Sequence, residues 1–245
     1  RNGAEKMEKR YIIGIDQSTQ GTKALLFDGV GHLLRRTDLP HRQIVNEKGW
    51  VSHDLNEIYR NTVQTVKTLV AESGVAPETI AGIGISNQRE TTAIWDKAPG
   101  EPLEEAIVWQ CGRASGIAQE IVEKLQARGE STEATGLQLS AYFPAAKMAW
   151  LLRNGGEERQ KRAADGKLCL GTIDSWLVYK LTGDHAFKTD FSNASRTQLF
   201  NLKTLAWDKK ICEMFGIPVC ALARVCNSDA VYGATTMEGL FSEPV

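Results

Sequence analysis

The run Tyr11-Ile12-Ile13-Gly14-Ile15-Asp16-Gln17-Ser18-Thr19-Gln20-Gly21-Thr22-Lys23-Ala24-Leu25-Leu26-Phe27-Asp28 decides the fold class. Its two apolar ends are too short for helices and flank a polar turn that contains glycine. They therefore read as strands, 11–16 and 23–28, joined in a hairpin. Asp28-Gly29 suits a second tight turn, and Val30-Gly31-His32-Leu33-Leu34 restarts as a third strand. Three consecutive antiparallel strands open the chain.

Beyond this meander the period changes. Leu55, Ile58, Tyr59, Val63, Val66, Leu69 and Val70 fall on one face of a helix. Asp54 is placed to cap it, Glu57 stands where a capping box needs it, and Gly74 ends it. The small apolar run Ile80–Ser86 predicts a buried strand, followed by short strands at Ala93–Asp96 and Ala106–Trp109. Helices are expected near 113–128, 145–154 and 157–164. A buried strand Leu168–Thr172 then leads into a helix, Asp174–Leu181, and a last helix runs from about 208 to 215. The alternation predicts an α/β domain with a mixed sheet flanked by helices.

The chain has 245 residues, 42% hydrophobic and 24% charged, with 29 Lys+Arg against 30 Asp+Glu. A net charge of -1 supplies no global basic field, so neither nucleic acid nor an anionic membrane is an expected partner. No apolar stretch approaches the ~20 residues of a spanning helix, and Arg1 to Arg10 has no signal-peptide pattern. Residues 1–10 are expected to be a tag or a disordered tail, and residues 11–245 one domain. The five cysteines form no CxxC pair, which fits neither a zinc site nor a disulfide framework. Reduced thiols in a cytoplasmic protein are expected. A homo-oligomer is compatible with this composition and not specified by it.

Asp16 ends a buried strand and enters a turn of hydroxyls, an amide and a glycine. A carboxylate there can hold Mg²⁺, while Thr19, Thr22 and backbone N–H groups can surround phosphate oxygens and Lys23 adds charge. The same residues also read as an Asx-type hairpin turn. Asn87-Gln88-Arg89-Glu90-Thr91-Thr92 places six hydrogen-bonding side chains at a strand end, where open α/β sheets take ligands. Arg89 beside Glu90 offers donors next to an acceptor, as two vicinal hydroxyls of a polyol require, or else a surface ion pair. Trp109 can wall the carbon face of such a ligand or pack in the core. Tyr142 can offer its hydroxyl or pack likewise. In the polar loop Thr189–Thr197, Asp190 is either a ligand or a turn cap. The four histidines are scattered, which supports neither a histidine metal site nor a Ser-His triad.

Taken in order, Asp16-Gln17-Ser18-Thr19 with Lys23, Gly49–Asp54, Asn87–Thr92 with Trp95, Ile107–Cys111, Gly171–Leu177 and Thr189–Thr197 resemble the N-terminal half of the FGGY carbohydrate kinases. The resemblance runs from about Tyr11 to Gly233. It implies an RNase H-like, actin-like ATPase fold in two domains with the active site in the cleft between them. It also implies ATP and Mg²⁺ as cofactors, and ATP-dependent phosphorylation of glycerol or a related small polyol or sugar. Other acceptors of the family, a ketopentose or a tetritol, and a non-catalytic polyol-binding module are the alternatives.

By the same resemblance, Asp16 matches the acidic residue near Mg²⁺ and phosphate. Thr19, Gln20 and Lys23 fall in the first phosphate loop. Arg89, Glu90 and Tyr142 match polyol-binding residues, and Trp109 matches an aromatic wall. Ser18, Gln20 and Lys23 replace the Gly, Thr and Arg usual in the glycerol-phosphorylating members, and Pro144-Ala145-Ala146 replaces a Ser-Gly-Thr. The family's catalytic base, an Asp in a Gly-Asp motif, is expected beyond Val245, with a C-terminal nucleotide-binding domain as this chain's partner.

Overall fold

The computed structural model describes residues 8–245. Strands β1 (Tyr11–Gln17), β2 (Gly21–Phe27) and β3 (Leu33–Pro40) form the expected meander, with Asp16 opposite Lys23 across the first pair. The third strand starts later than its apolar residues suggest. The Asp28 carboxylate accepts from the backbone N–H groups of Val30 and His32 at 3.0 and 2.9 Å, which closes 28–32 as a turn. β3 then runs as a polar edge strand without apolar alternation, and pairing carries it to Pro40.

Two short strands, β4 (Ile44–Val45) and β5 (Val51–His53), precede helix α1 (Leu55–Ser73). Asp54 caps α1 by accepting from the N–H groups of Asn56 and Glu57, and Gly74 ends it in the left-handed region at φ 73°. The reciprocal half of the capping box does not form. The Glu57 carboxylate instead accepts from Arg42, at its backbone N and its Nε, at 3.0 and 3.1 Å. Val63, Val66, Leu69 and Val70 of α1 pack on Ile13, Ile15, Ala24 and Leu26. β6 (Ile80–Asn87) returns parallel to β1, setting Ser86 opposite Asp16 and Asn87 opposite Gln17. The result is a four-stranded mixed sheet of order β3-β2-β1-β6.

The remaining strands build a second sheet. β7 (Thr92–Asp96), β8 (Ala106–Ile107) and β9 (Leu168–Thr172) join β4 and β5 in the antiparallel order β4-β5-β8-β7-β9. The turn 88–91, with Glu90 at φ 67°, redirects the chain from the first sheet into the second. Trp109 therefore lies just past the end of β8 rather than within it.

Helices α2 (Ser115–Arg128), α3 (Pro144–Asn154), α4 (Gly156–Ala164) and α5 (Ile173–Leu181) follow the expected positions closely, as does α7 (Lys209–Phe215), which Asp208 caps. The one-turn α6 (Phe191–Ala194) and two ribbons are too short for a sequence period to reveal. The ribbons pair β10 (Lys188–Asp190) with β13 (Arg224–Cys226) and β11 (Phe200–Asn201) with β12 (Ala206–Trp207). α5 packs on the second sheet through Trp176, which meets Trp95 edge-on at 5.2 Å with both rings fully buried.

All five cysteines are free, and Cys111, Cys169 and Cys212 are buried. Of the residues read as a tail, 1–7 lie outside the described residues. Lys9 and Arg10 bond to the carbonyls of Ile80 and Thr79. Among the described residues no helix is long and apolar enough to cross a membrane.

Candidate active site

The in-register ends of β1 and β6 bring two loops side by side. Gln17, fully buried, and Gln88 lock them together. The Gln88 backbone N–H donates to Gln17 O at 2.6 Å, and its side-chain Nε2 donates to Gln17 Oε1 and Ser18 O at 2.9 and 3.1 Å. Thr91 Oγ1 donates to Gln88 Oε1 at 2.7 Å and accepts from the Trp109 backbone N–H at 3.2 Å. The hairpin turn itself is closed by Ser18, whose N–H and hydroxyl both donate to Gly21 O.

On this frame the aromatic and charged residues meet. Trp109 Nε1 donates to Thr19 Oγ1 at 3.0 Å, and its ring stands edge-on to Tyr142 at 5.8 Å. The Arg196 guanidinium lies 6.0 Å from the Tyr142 ring and 5.1 Å from the Phe143 ring, and its Nε donates to Glu90 Oε1 at 2.5 Å. Thr19, Trp109, Tyr142 and Glu90, from four separate segments, thus form one continuous cluster. Glu90 is 5% exposed and holds a left-handed backbone unusual for a non-glycine residue. That conformation is supported by Thr92 Oγ1, which donates to Glu90 O, and by the Thr91 N–H on Arg89 O. Arg89 is exposed, and among the described residues its guanidinium has no hydrogen-bond partner. Glu90 is thus a buried carboxylate whose ion pair is made by Arg196, while Arg89, its neighbour in sequence, stays exposed.

The phosphate-loop residues are looser. Asp16 is half-exposed, and the nearest cation is Lys23 Nζ at 3.5 Å. One accessible carboxylate with spare lone pairs suits Mg²⁺, which takes one or two carboxylates and keeps several waters. Gln20 is exposed at the hairpin turn, its side chain bonded to none of the described residues, and it does not join the cluster.

Several polar features were not legible in the sequence. Arg196 lies in the polar loop 189–197 with no local sign of a partner, and that partner, Glu90, is 106 residues away. Lys147 is fully buried on α3, where its Nζ donates to the carbonyls of Ala141 and Tyr142. Burial pushes the Lys147 ammonium down to about 8, against the attraction of Cys111 and Glu90. Asp190 takes the capping alternative, accepting from Asn193 and from the Ser228 hydroxyl. The histidines also need a correction. His41, just past β3, and His53, the last residue of β5, meet edge-on at 4.3 Å, buried beneath the hairpin turn, where the His41 N–H donates to Gln20 O. A cavity of about 350 Å³ opens along β6, lined in part by Gly82, Gly84, Asp174, Asn193 and Tyr232, and none of the cluster residues lines it.

The mixed sheet flanked by helices places the chain in the class of actin-like ATPase domains. Within that class it belongs to the FGGY family of carbohydrate kinases, whose N-terminal domain model matches residues 11–242. Glycerol kinase 1 of Thermotoga maritima is 44% identical over 227 residues, covering 93% of this chain and 46% of that protein. The glycerol kinase of Enterococcus casseliflavus is 44% identical over 229 residues, covering 93% of this chain and 45% of that protein. The crystal structure of Plasmodium falciparum glycerol kinase with ADP superposes with a TM-score of 0.81 at 32% identity, over 99% of this chain and 48% of that one. A xylulose kinase from Rhodospirillum rubrum shares the fold, with a TM-score of 0.84 at 20% identity over 96% of this chain and 47% of that one. The chain spans about half the length of the curated relatives it matches.

Proposed function

We propose that residues 11–245 are the acceptor-binding domain of an ATP-dependent kinase that phosphorylates glycerol or a closely related small polyol. The observation that carries this reading is the buried Glu90 carboxylate, held on one oxygen by Arg196 and in one cluster with the aromatic pair Trp109 and Tyr142, with the exposed Arg89 as its neighbour in sequence. A polyol has hydroxyls that both donate and accept and a carbon face that does neither. Arg89 donates to the hydroxyl oxygens, Glu90 accepts from the hydroxyl protons, and the indole of Trp109 covers the carbons. The Tyr142 hydroxyl closes the other side. Glycerol kinases at 44% identity support the same acceptor.

On this reading the hairpin turn faces the transferred phosphoryl group. Thr19 and the turn's backbone N–H groups take phosphate oxygens, Lys23 adds charge, and Asp16 holds Mg²⁺. The metal would supply charge neutralisation on the phosphates. What the chain itself contributes is placement, because phosphoryl transfer is accelerated chiefly by positioning and electrostatics. The base that takes the acceptor's proton is the Asp of a Gly-Asp motif that the family resemblance places beyond Val245. Five free cysteines suit a cytoplasmic location.

The test is a panel of glycerol, erythritol, xylulose and ribulose assayed by ADP release with the full-length protein. Glycerol should give the highest kcat/KM. A ketopentose in first place would refute the glycerol assignment, and no ADP release with any of the panel would refute the kinase reading.

A further inference from the structure

We infer that Arg196 is a positioning residue for the acceptor pocket, setting the Glu90 carboxylate and the Tyr142 ring while leaving Arg89 free. This rests on the polyol-kinase reading above and adds a residue to it. Arg196 lies at the end of a loop more than a hundred positions from Glu90, yet it makes the one ion pair that the Glu90 carboxylate has among the described residues. Its Nε occupies Glu90 Oε1 at 2.5 Å, and among the described residues Oε2 accepts no hydrogen bond. A buried carboxylate with one oxygen anchored and one unspent is set to accept a single hydroxyl in a fixed direction.

The arrangement also explains why two opposite charges adjacent in sequence do not neutralise each other. The left-handed backbone at Glu90 separates its side chain from that of Arg89, and Arg196 supplies the cation that a buried carboxylate needs. One guanidinium is used for structure, and the other remains for ligand.

The loop that carries Arg196 is itself tied to the loop that carries Tyr142. Thr197 O accepts from the Ala145 N–H at 3.0 Å, and Gln198 Nε2 donates to Gln138 O at 2.8 Å. Gln198 is fully buried with a left-handed backbone, φ 68°, so this connection is held in a strained and specific conformation. With its guanidinium 5.1 Å from Phe143 and 6.0 Å from Tyr142, Arg196 joins the carboxylate wall of the pocket to the aromatic wall. Lys147 supports the same aromatic loop from beneath.

The experiment uses the full-length protein and the variants Arg196→Gln, Arg196→Lys, Glu90→Gln and the double variant Glu90→Gln/Arg196→Gln. Each is assayed for glycerol and ATP kinetics and for Tm. Arg196→Gln should raise the glycerol KM about ten- to a hundredfold, the worth of a charge-assisted hydrogen bond, with the ATP KM and kcat within about threefold of wild type. Arg196→Lys, which keeps the charge but loses the planar fork, should recover part of that loss. The double variant should be no worse than Glu90→Gln alone, because both act through one carboxylate. Equal losses in glycerol KM, ATP KM and kcat, or effects of the two residues that multiply, would overturn the assignment. If Arg196→Gln does not fold, Arg196→Lys decides: a raised glycerol KM at wild-type Tm supports the role, and an unchanged one overturns it. An active wild type with unaltered Arg196 variants refutes this role alone, whereas a wild type inactive on every polyol refutes the functional reading and this role with it.

Discussion

Replacing His53 by phenylalanine should make stability less sensitive to acid. The His53 ring is fully buried, its Nδ1 is 3.1 Å from Ser52 O, its Nε2 has no hydrogen-bond partner among the described residues, and its neighbour at 4.3 Å is His41. Burial, and then the adjacent His41, pull the His53 imidazole down to about 4 from the usual 6.5. The native protein therefore refuses a proton that the unfolded chain accepts between those two values. The stability contributed by the neutral ring is fully present above about pH 6.5 and is lost as pH falls toward 4. At about 1.4 kcal/mol per pH unit, the loss reaches roughly 2–3 kcal/mol by pH 4.5. His53→Phe keeps a ring against His41 and removes the titration, at the cost of one neutral hydrogen bond, about 1 kcal/mol. In urea unfolding the variant should be less stable than wild type by about that amount at pH 7.5 and more stable by roughly 1–2 kcal/mol at pH 4.5. A difference between the two proteins that stays constant across this range would refute the reasoning, since it would mean that the buried pair does not resist protonation.

Asp174 should show the opposite sign. Burial raises its carboxyl to about 6, against hydrogen bonds from Thr172 and Thr189, so the native state pays for an ionised group above that pH and is relieved below it. Asp174→Asn should therefore gain about 2 kcal/mol on wild type at pH 7.5 relative to its standing at pH 4.5, read from urea midpoints at each pH. Arg89→Ala should raise the glycerol KM of the full-length protein by one to two decades, about 1.5–3 kcal/mol, and leave the ATP KM within twofold. Gly21→Ala should cost about 1–3 kcal/mol in thermal unfolding, because a Cβ there would meet Leu39 O at 2.5 Å and Pro40 Cα at 3.0 Å. Wild-type stability in that variant would show that β2 and β3 do not approach as closely as described.

The sequence was most readable where a period was long enough to repeat. The meander, α1 with its Asp54 cap and Gly74 end, and the long helices from α2 to α5 all carry their own signal. β3 was misplaced because edge strands need no apolar alternation and the Asp28 turn consumes the residues that looked apolar. The division of strands between two sheets was hidden for another reason. It depends on the backbone at Glu90, a residue type that gives no hint of a left-handed turn. Of the clustered residues, Glu90, Trp109, Tyr142 and Thr19 are singled out by their positions at strand ends or by family likeness. Arg196 and the His41–His53 pair are not, because a contact across a hundred residues, or a pairing between the residue after one strand and the end of another, leaves no local pattern.

The register of β1 against β6 also sets the order in which the molecule can assemble. β1, β2 and β3 pair within a span of about thirty residues and close early, whereas β6 must wait for the intervening chain, α1 included, before Ser86 reaches Asp16. The amide lock between Gln17 and Gln88 lies across this late seam, so Thr19 and Glu90 come together only when the seam zips shut. A ligand held by both would act as a stitch. It would slow the seam's opening while leaving exchange of the hairpin amides almost untouched, and protection in hydrogen exchange would rise along β6 first.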